Sequence, residues 1–122
     1  ERDTLVPEFM TRYTACATDN TYLVPGARYA LERLARAGVL HGLCTNKPEA
    51  MSRRLFEALG IADRFSAIVG GDSLPVRKPD PGHLLGTLAR METTPDRAVM
   101  MASCLSHNRW KRVRRRSLCS TR

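Results

Sequence analysis

Three short apolar runs, residues 39–45, 67–69 and 98–102, alternate with stretches of helical spacing, and few folds accept that order. A strand followed by a helix and another strand returns to the same sheet as a parallel crossover. The expected fold class is therefore α/β, a partial Rossmann-like parallel sheet with flanking helices. Helices are predicted over residues 1–17, 27–37, 49–59 and 81–91. In the first of these, Leu5, Val6, Phe9, Met10, Tyr13 and Cys16 recur at intervals of three to four. In the second, Leu31, Leu34 and Ala35 share a face and Gly38 is the stop; Gly60 ends the third, which Pro48 introduces. Residues 62–65 read as a short turn, and Met100 and Met101 as strand core.

The loop over residues 70–81, Gly-Gly-Asp-Ser-Leu-Pro-Val-Arg-Lys-Pro-Asp-Pro, has the wrong composition for a core element. Gly70 and Gly71 let the chain leave a buried strand through unusual dihedrals, and Pro75, Pro79 and Pro81 stiffen the rest of the loop. Pro79 biases Lys78 toward an extended backbone, while Pro81 suits a first helical turn. Lys78 thus projects from a rigid corner at the carboxyl end of a strand, the edge at which open α/β sheets bind ligands.

Net charge is +8, a value that suggests nucleic acid until it is mapped. Residues 109–122 hold seven basic residues and no acid, leaving 13 basic against 12 acidic residues in the body. An evolved nucleic-acid face draws on the folded body, so the basic tail is expected to be solvated and disordered. Cys16, Cys44, Cys104 and Cys119 are scattered without a Cys-x-x-Cys pair, which fits reduced thiols. His41, His83 and His107 share no metal-ligand spacing and read as structural or surface residues. With no apolar run of membrane-spanning length, the sequence reads as that of a cytoplasmic protein.

Leu43-Cys44-Thr45-Asn46-Lys47-Pro48 and the Gly70–Pro81 stretch resemble the second and third motifs of the haloacid dehalogenase-like phosphatases. The Gly-Gly-Asp and Arg-Lys-Pro wording is similar to the phosphoglycolate phosphatase branch. The resemblance implies Mg²⁺-dependent phosphomonoester hydrolysis through an aspartyl-phosphate, acting on a small phosphorylated metabolite such as 2-phosphoglycolate. It implies phosphate binding by Thr45, Asn46 and Lys78, with Lys78 also catalytic as the cation that stabilises developing charge. Thr45 supplies a hydroxyl and Asn46 a side-chain amide or backbone N–H, groups suited to a phosphoryl oxygen. On the same resemblance, residues 1–20 are the remnant of a helical cap domain, residues 21–102 a partial phosphatase core and residues 103–122 a basic tail.

Two departures limit the activity expected of this chain. The family's first motif, an Asp-x-Asp that furnishes the nucleophile, has no counterpart, and residues 102–108 carry none of the fourth motif's acids. The Mg²⁺ ligands of the family are thus not found, and the chain is expected to be a fragment with an aberrant end. Codons for residues 110–116 read two nucleotides out of frame allow an alanine-rich alternative. The competing functional reading is a small basic binding module that contacts nucleic acid through its Arg-rich tail. Simpler roles are also open to the motif residues: Thr45-Asn46 suits a helix cap before Pro48, and Asp72 and Asp80 suit turns in which they satisfy local N–H groups.

Overall fold

The computed structural model describes residues 2–19, 21–101 and 111–112. Helix α1 (Arg2–Cys16) occupies the stretch whose spacing predicts it, yet Leu5, Val6 and Phe9 remain exposed. Local interactions hold it instead: the Thr11 and Thr14 hydroxyls donate to the carbonyls of Pro7 and Met10, and Arg12 pairs with Glu8 at 2.8 Å. Such contacts are individually weak, so this helix depends on a few anchors rather than on a buried face.

Helix α2 (Ala27–Arg36) ends as its glycine predicts. Gly38 sits at φ 77°, its N–H donates to Ala35 O, and the N–H of Val39 reaches back to Leu34 O, the paired bonds of a Schellman motif. Because Val39 is consumed in closing the helix, strand β1 is shorter than the predicted run and covers His41–Cys44. Helix α3 (Glu49–Ala58) closes in the same way, with Gly60 at φ 63° and the Ile61 N–H on Phe56 O. Arg28 of α2 then donates to the carbonyls of Leu59 and Gly60 at 2.6 and 3.0 Å. A cation at a helix C-terminus satisfies orphan carbonyls and complements the dipole, so this one side chain ties α2 to the end of α3.

A single 3₁₀ turn (Ala62–Arg64) leads into strand β2 (Phe65–Val69), which pairs in parallel with β1. The register sets Gly42 opposite Ala67, Leu43 opposite Ile68 and Cys44 opposite Val69, with an irregularity between His41 and Gly42. Helix α4 (Pro81–Arg90) comes after the loop, capped by Asp80, whose carboxylate accepts from the Gly82 N–H at 2.7 Å. Its C-terminal turn is completed by Glu92 in the left-handed region, φ 53°, a position usually given to glycine.

The core lies where α3 and α4 meet β2. Met51, Ile61, Ala67, Ile68, Val69 and Leu88 are buried, together with Ser52, His83 and Thr87. Each polar member is satisfied: Ser52 and Thr87 donate to carbonyls one helical turn back, at 3.0 and 2.9 Å, and His83 is bonded to the Gly70 carbonyl.

The third predicted strand requires a correction. Beyond a 3₁₀ turn (Pro95–Arg97), strand β3 is only Val99–Met100, and it does not join β1 and β2. It pairs antiparallel with β4 (Lys111–Arg112), so among the described residues the parallel sheet has two strands rather than three, and Lys111–Arg112 of the basic tail form a ladder. Met101, expected in the strand core, is 65% exposed, as is Val99. With Val39 and Leu40 also exposed, apolar residues flank the strands without cover among the described residues. Residue 102, the rest of residues 103–122 and His107 among them, and the disorder expected there lie outside the described residues. Among the described residues, no helix is long and apolar enough to cross a membrane.

Candidate phosphate-binding site

Parallel pairing delivers the ends of β1 and β2 to one edge of the sheet. The ladder runs on past β1, with the Thr45 N–H donating to Val69 O at 3.0 Å, so Thr45 sits where β2 gives way to Gly70. The two loops leaving this edge are then packed against each other. A Cβ on Gly70 would lie 2.2 Å from the backbone nitrogen of Glu49, and one on Gly71 would lie 2.4 Å from the Asn46 carbonyl oxygen. Neither residue has the positive φ that Gly26, Gly38 and Gly60 adopt. The Gly-Gly pair is therefore required for close approach of two backbones, not for unusual dihedrals. The approach is fixed by the Gly71 N–H donating to Lys47 O at 3.0 Å.

Farther along, the second loop returns to the first at Lys78. Asn46 Nδ2 donates to the Lys78 carbonyl and Asn46 Oδ1 accepts from the Lys78 N–H, both at 3.0 Å. One amide side chain thus engages both backbone groups of Lys78, which is half-buried and joined to Pro79 by a cis peptide bond. Thr45 and Asn46, adjacent in the chain, share one corner of the molecule with Lys78, which lies 32 residues beyond Asn46. The Thr45 hydroxyl accepts from the Lys47 N–H at 3.2 Å and keeps a proton to donate.

Two carboxylates and one hydroxyl stabilise the base of this corner. The α3 N-terminus is not capped by Thr45 or Asn46; Pro48 is its cap residue, and the Glu49 N–H is taken by Asp72 from across the loop at 2.8 Å. Asp72 therefore serves a distant N–H rather than a local one, whereas Asp80 behaves as the local cap expected of it. Glu49 accepts from the Ser73 hydroxyl, and from Arg53 and Arg90 at 3.1 and 3.3 Å. These donors, Ser73 foremost, hold the Glu49 carboxyl below its usual range. Arg90 also donates to the Ser73 carbonyl at 3.0 Å, closing a ring of contacts from α3 through the loop to α4.

His83 is the residue whose role sequence spacing does not disclose. Fully buried, it places Nε2 at 2.9 Å from the Gly70 carbonyl and Nδ1 at 3.5 Å from Cys44 Sγ. Since a carbonyl only accepts, Nε2 carries the proton and Nδ1 faces the thiol as acceptor. The imidazole thereby links α4 to the ends of both strands. Its one signal in the sequence is its place in the first turn of the helix that Pro81 opens. Lys47 makes the other unforeseen link, donating to Tyr13 Oη at 2.9 Å with its ammonium 5.2 Å from that ring's centroid, which fastens α1 to the core.

An open groove of about 670 Å³, lined by Tyr22, Val24, Arg28, Tyr29 and Leu59 among others, includes none of Thr45, Asn46 and Lys78. Its Arg28 is engaged with the Leu59 and Gly60 carbonyls and its Glu32 with Arg64, so the charged groups of this groove serve the fold. Among the described residues, no three His, Cys, Asp or Glu side chains are grouped to hold a metal ion. Asp72 and Asp80 each spend a carboxylate oxygen on a helix N-terminus, and the described residues form no carboxylate cluster fitted to Mg²⁺.

A two-stranded parallel sheet with helices packed on it, and Thr45, Asn46 and the Lys78 backbone brought together at its carboxyl edge, define an α/β core of the open-sheet kind, which binds ligands at that edge. A model of the haloacid dehalogenase-like hydrolases matches residues 1–102. A phosphoglycolate phosphatase of Cereibacter sphaeroides is 46% identical over 83 residues, covering 68% of this chain and 38% of that protein. One from Mesorhizobium japonicum is 41% identical over 101 residues, 83% of this chain and 44% of the relative. Among solved structures, a predicted phosphoglycolate phosphatase from Haemophilus somnus superposes with a TM-score of 0.69 at 29% identity, over 74% of this chain and 40% of that one. A phosphatase from Thermococcus onnurineus gives 0.66 at 28% identity, over 83% and 45%. The chain belongs to the haloacid dehalogenase-like hydrolase family, and its fold is that of the family's phosphatases. It spans about two fifths of the length of the curated relatives it matches.

Proposed function

We propose that this chain carries the phosphate-binding half of a phosphoglycolate phosphatase-type site, in which Thr45, Asn46 and Lys78 receive the phosphoryl group of a small metabolite such as 2-phosphoglycolate. The carrying observation is the meeting of the two loops at one sheet edge through Asn46 and Lys78. Thr45 donates a hydroxyl hydrogen bond to one phosphoryl oxygen, Asn46 contributes through its backbone N–H, and the Lys78 ammonium neutralises charge. Residues 1–20 are assigned to the family's helical cap, residues 21–102 to the core and residues 103–122 to a basic tail; the setting is cytoplasmic. In the relatives' type of enzyme, Mg²⁺ supplies charge neutralisation at the transferring phosphoryl group. No cluster of carboxylates stands among the described residues to hold it, and no Asp-x-Asp occurs in the sequence to attack phosphorus. The nucleic-acid reading has no supporting observation.

The test is a titration of the ¹⁵N-labelled chain with inorganic phosphate and with 2-phosphoglycolate, with and without Mg²⁺. Expected are amide shifts at Thr45, Asn46 and Lys78 that vanish in Lys78→Ala, without measurable phosphate release. Shifts confined to residues elsewhere would overturn the assignment of the site, and Mg²⁺-dependent release abolished by Lys78→Ala would overturn the view that the chain binds without turning over.

A further inference from the structure

We infer that the Asn46 side chain is a positioning residue for Lys78 and acts on phosphate only through it, an inference that rests on the site proposed above. One N–H of the amide and one lone pair of its oxygen engage the Lys78 backbone at 3.0 Å each, which fixes the plane and direction of the side chain. Such a pairing copies a two-point backbone ladder: it fixes the Lys78 peptide in direction as well as position, which a single bond does not. Asn46 lies at the surface, where water competes for both bonds, and their persistence depends on the rigid surroundings. Those surroundings are present. Gly70 and Gly71 bring the loop into backbone contact with residues 46–49, Asp72 holds the α3 N-terminus, and Asp80 anchors the far end of the loop to α4. Between these anchors, the clamp joins Lys78 to the Thr45 loop. Lys78 has a long flexible side chain whose reach from a free loop would cover many positions; a fixed backbone narrows that range toward the Thr45 hydroxyl.

Two measurements on the full chain test this. In the absence of ligand, hydrogen exchange at the Lys78 amide should accelerate about tenfold in Asn46→Ala, the scale of one neutral hydrogen bond. An unchanged rate in Asn46→Ala overturns the clamp, and this readout stands even if phosphate fails to bind and the proposed function falls. The second measurement is a double-mutant cycle on inorganic phosphate affinity. Asn46→Ala should weaken binding about as much as Lys78→Ala, and the pair should be no weaker than Lys78→Ala alone, because nothing remains to be positioned. Fully additive losses would make the Asn46 side chain a direct phosphate ligand and overturn the inference. Dispersed spectra of each variant confirm folding, and Asn46→Leu, which fills a similar volume without either hydrogen-bonding group, serves if Asn46→Ala does not fold.

Discussion

The corner between the two strand ends and the helix α1 are both built from sequence with a clear pattern, yet they are held in opposite ways. At the corner, the Gly70 carbonyl, the Glu49 N–H, the Ser73 hydroxyl and the backbone of Lys78 each have a partner from a different element, and His83 is buried behind them. On α1, Leu5, Val6 and Phe9 are exposed, and Tyr13 with Lys47 makes the link to the core. The contrast teaches that periodicity specifies a helix but not a place for its apolar face to go. Small residues and short polar side chains, by contrast, specify a close approach that few other sequences permit.

The largest effect should come from breaking the corner at its buried centre. His83→Ala removes a filled volume and leaves the Gly70 carbonyl without its donor, for a loss of about 3 kcal/mol in unfolding free energy. Phe9→Ser on the other region should change stability by no more than about 0.5 kcal/mol. Urea unfolding of both variants makes the comparison, and equal losses would erase the distinction between the regions.

A smaller loss is expected when the approach of the two loops is obstructed. Gly71→Ala would set a methyl 2.4 Å from the Asn46 carbonyl oxygen, a backbone atom that cannot swing away. The expected cost is about 2 kcal/mol, with the amide resonances of residues 46–49 and 78 moving together. Retained stability and unmoved resonances would show that the contact is loose.

The smallest effect sharpens the electrostatics of the corner. The folded-state pKa of Glu49 lies below its ordinary value of 4.5, because Ser73, Arg53 and Arg90 bind the ionised form. Stability from this source is present above the unfolded value and is lost as pH falls through the lower folded one. The wild-type urea midpoint should therefore decline more on acidification below about pH 4.5 than that of Glu49→Gln. Parallel pH profiles would remove Glu49 from the account.

Much of the chain is legible without coordinates because the signals are local. Gly38 and Gly60 end helices by accepting a left-handed backbone, Asp80-Pro81 starts one by capping and by fixed φ, and the apolar runs at β1 and β2 mark two paired strands, of which β2 is buried at Ala67, Ile68 and Val69. The joint placement of Thr45, Asn46 and Lys78 is also foreseeable, since a right-handed crossover returns successive strand ends to one edge. What sequence cannot decide depends on partners distant along the chain. Asp72 reads as a turn residue and caps a helix 23 positions away, and Gly-Gly reads as a dihedral requirement and is a steric one. His83 has no distinguishing spacing and spans two strand ends, while Val99–Met100 reads as sheet core and pairs with Lys111–Arg112 instead. Local conformational preference is encoded residue by residue, but a hydrogen bond or a close contact requires two surfaces to arrive together. Only the tertiary arrangement determines which surfaces those are.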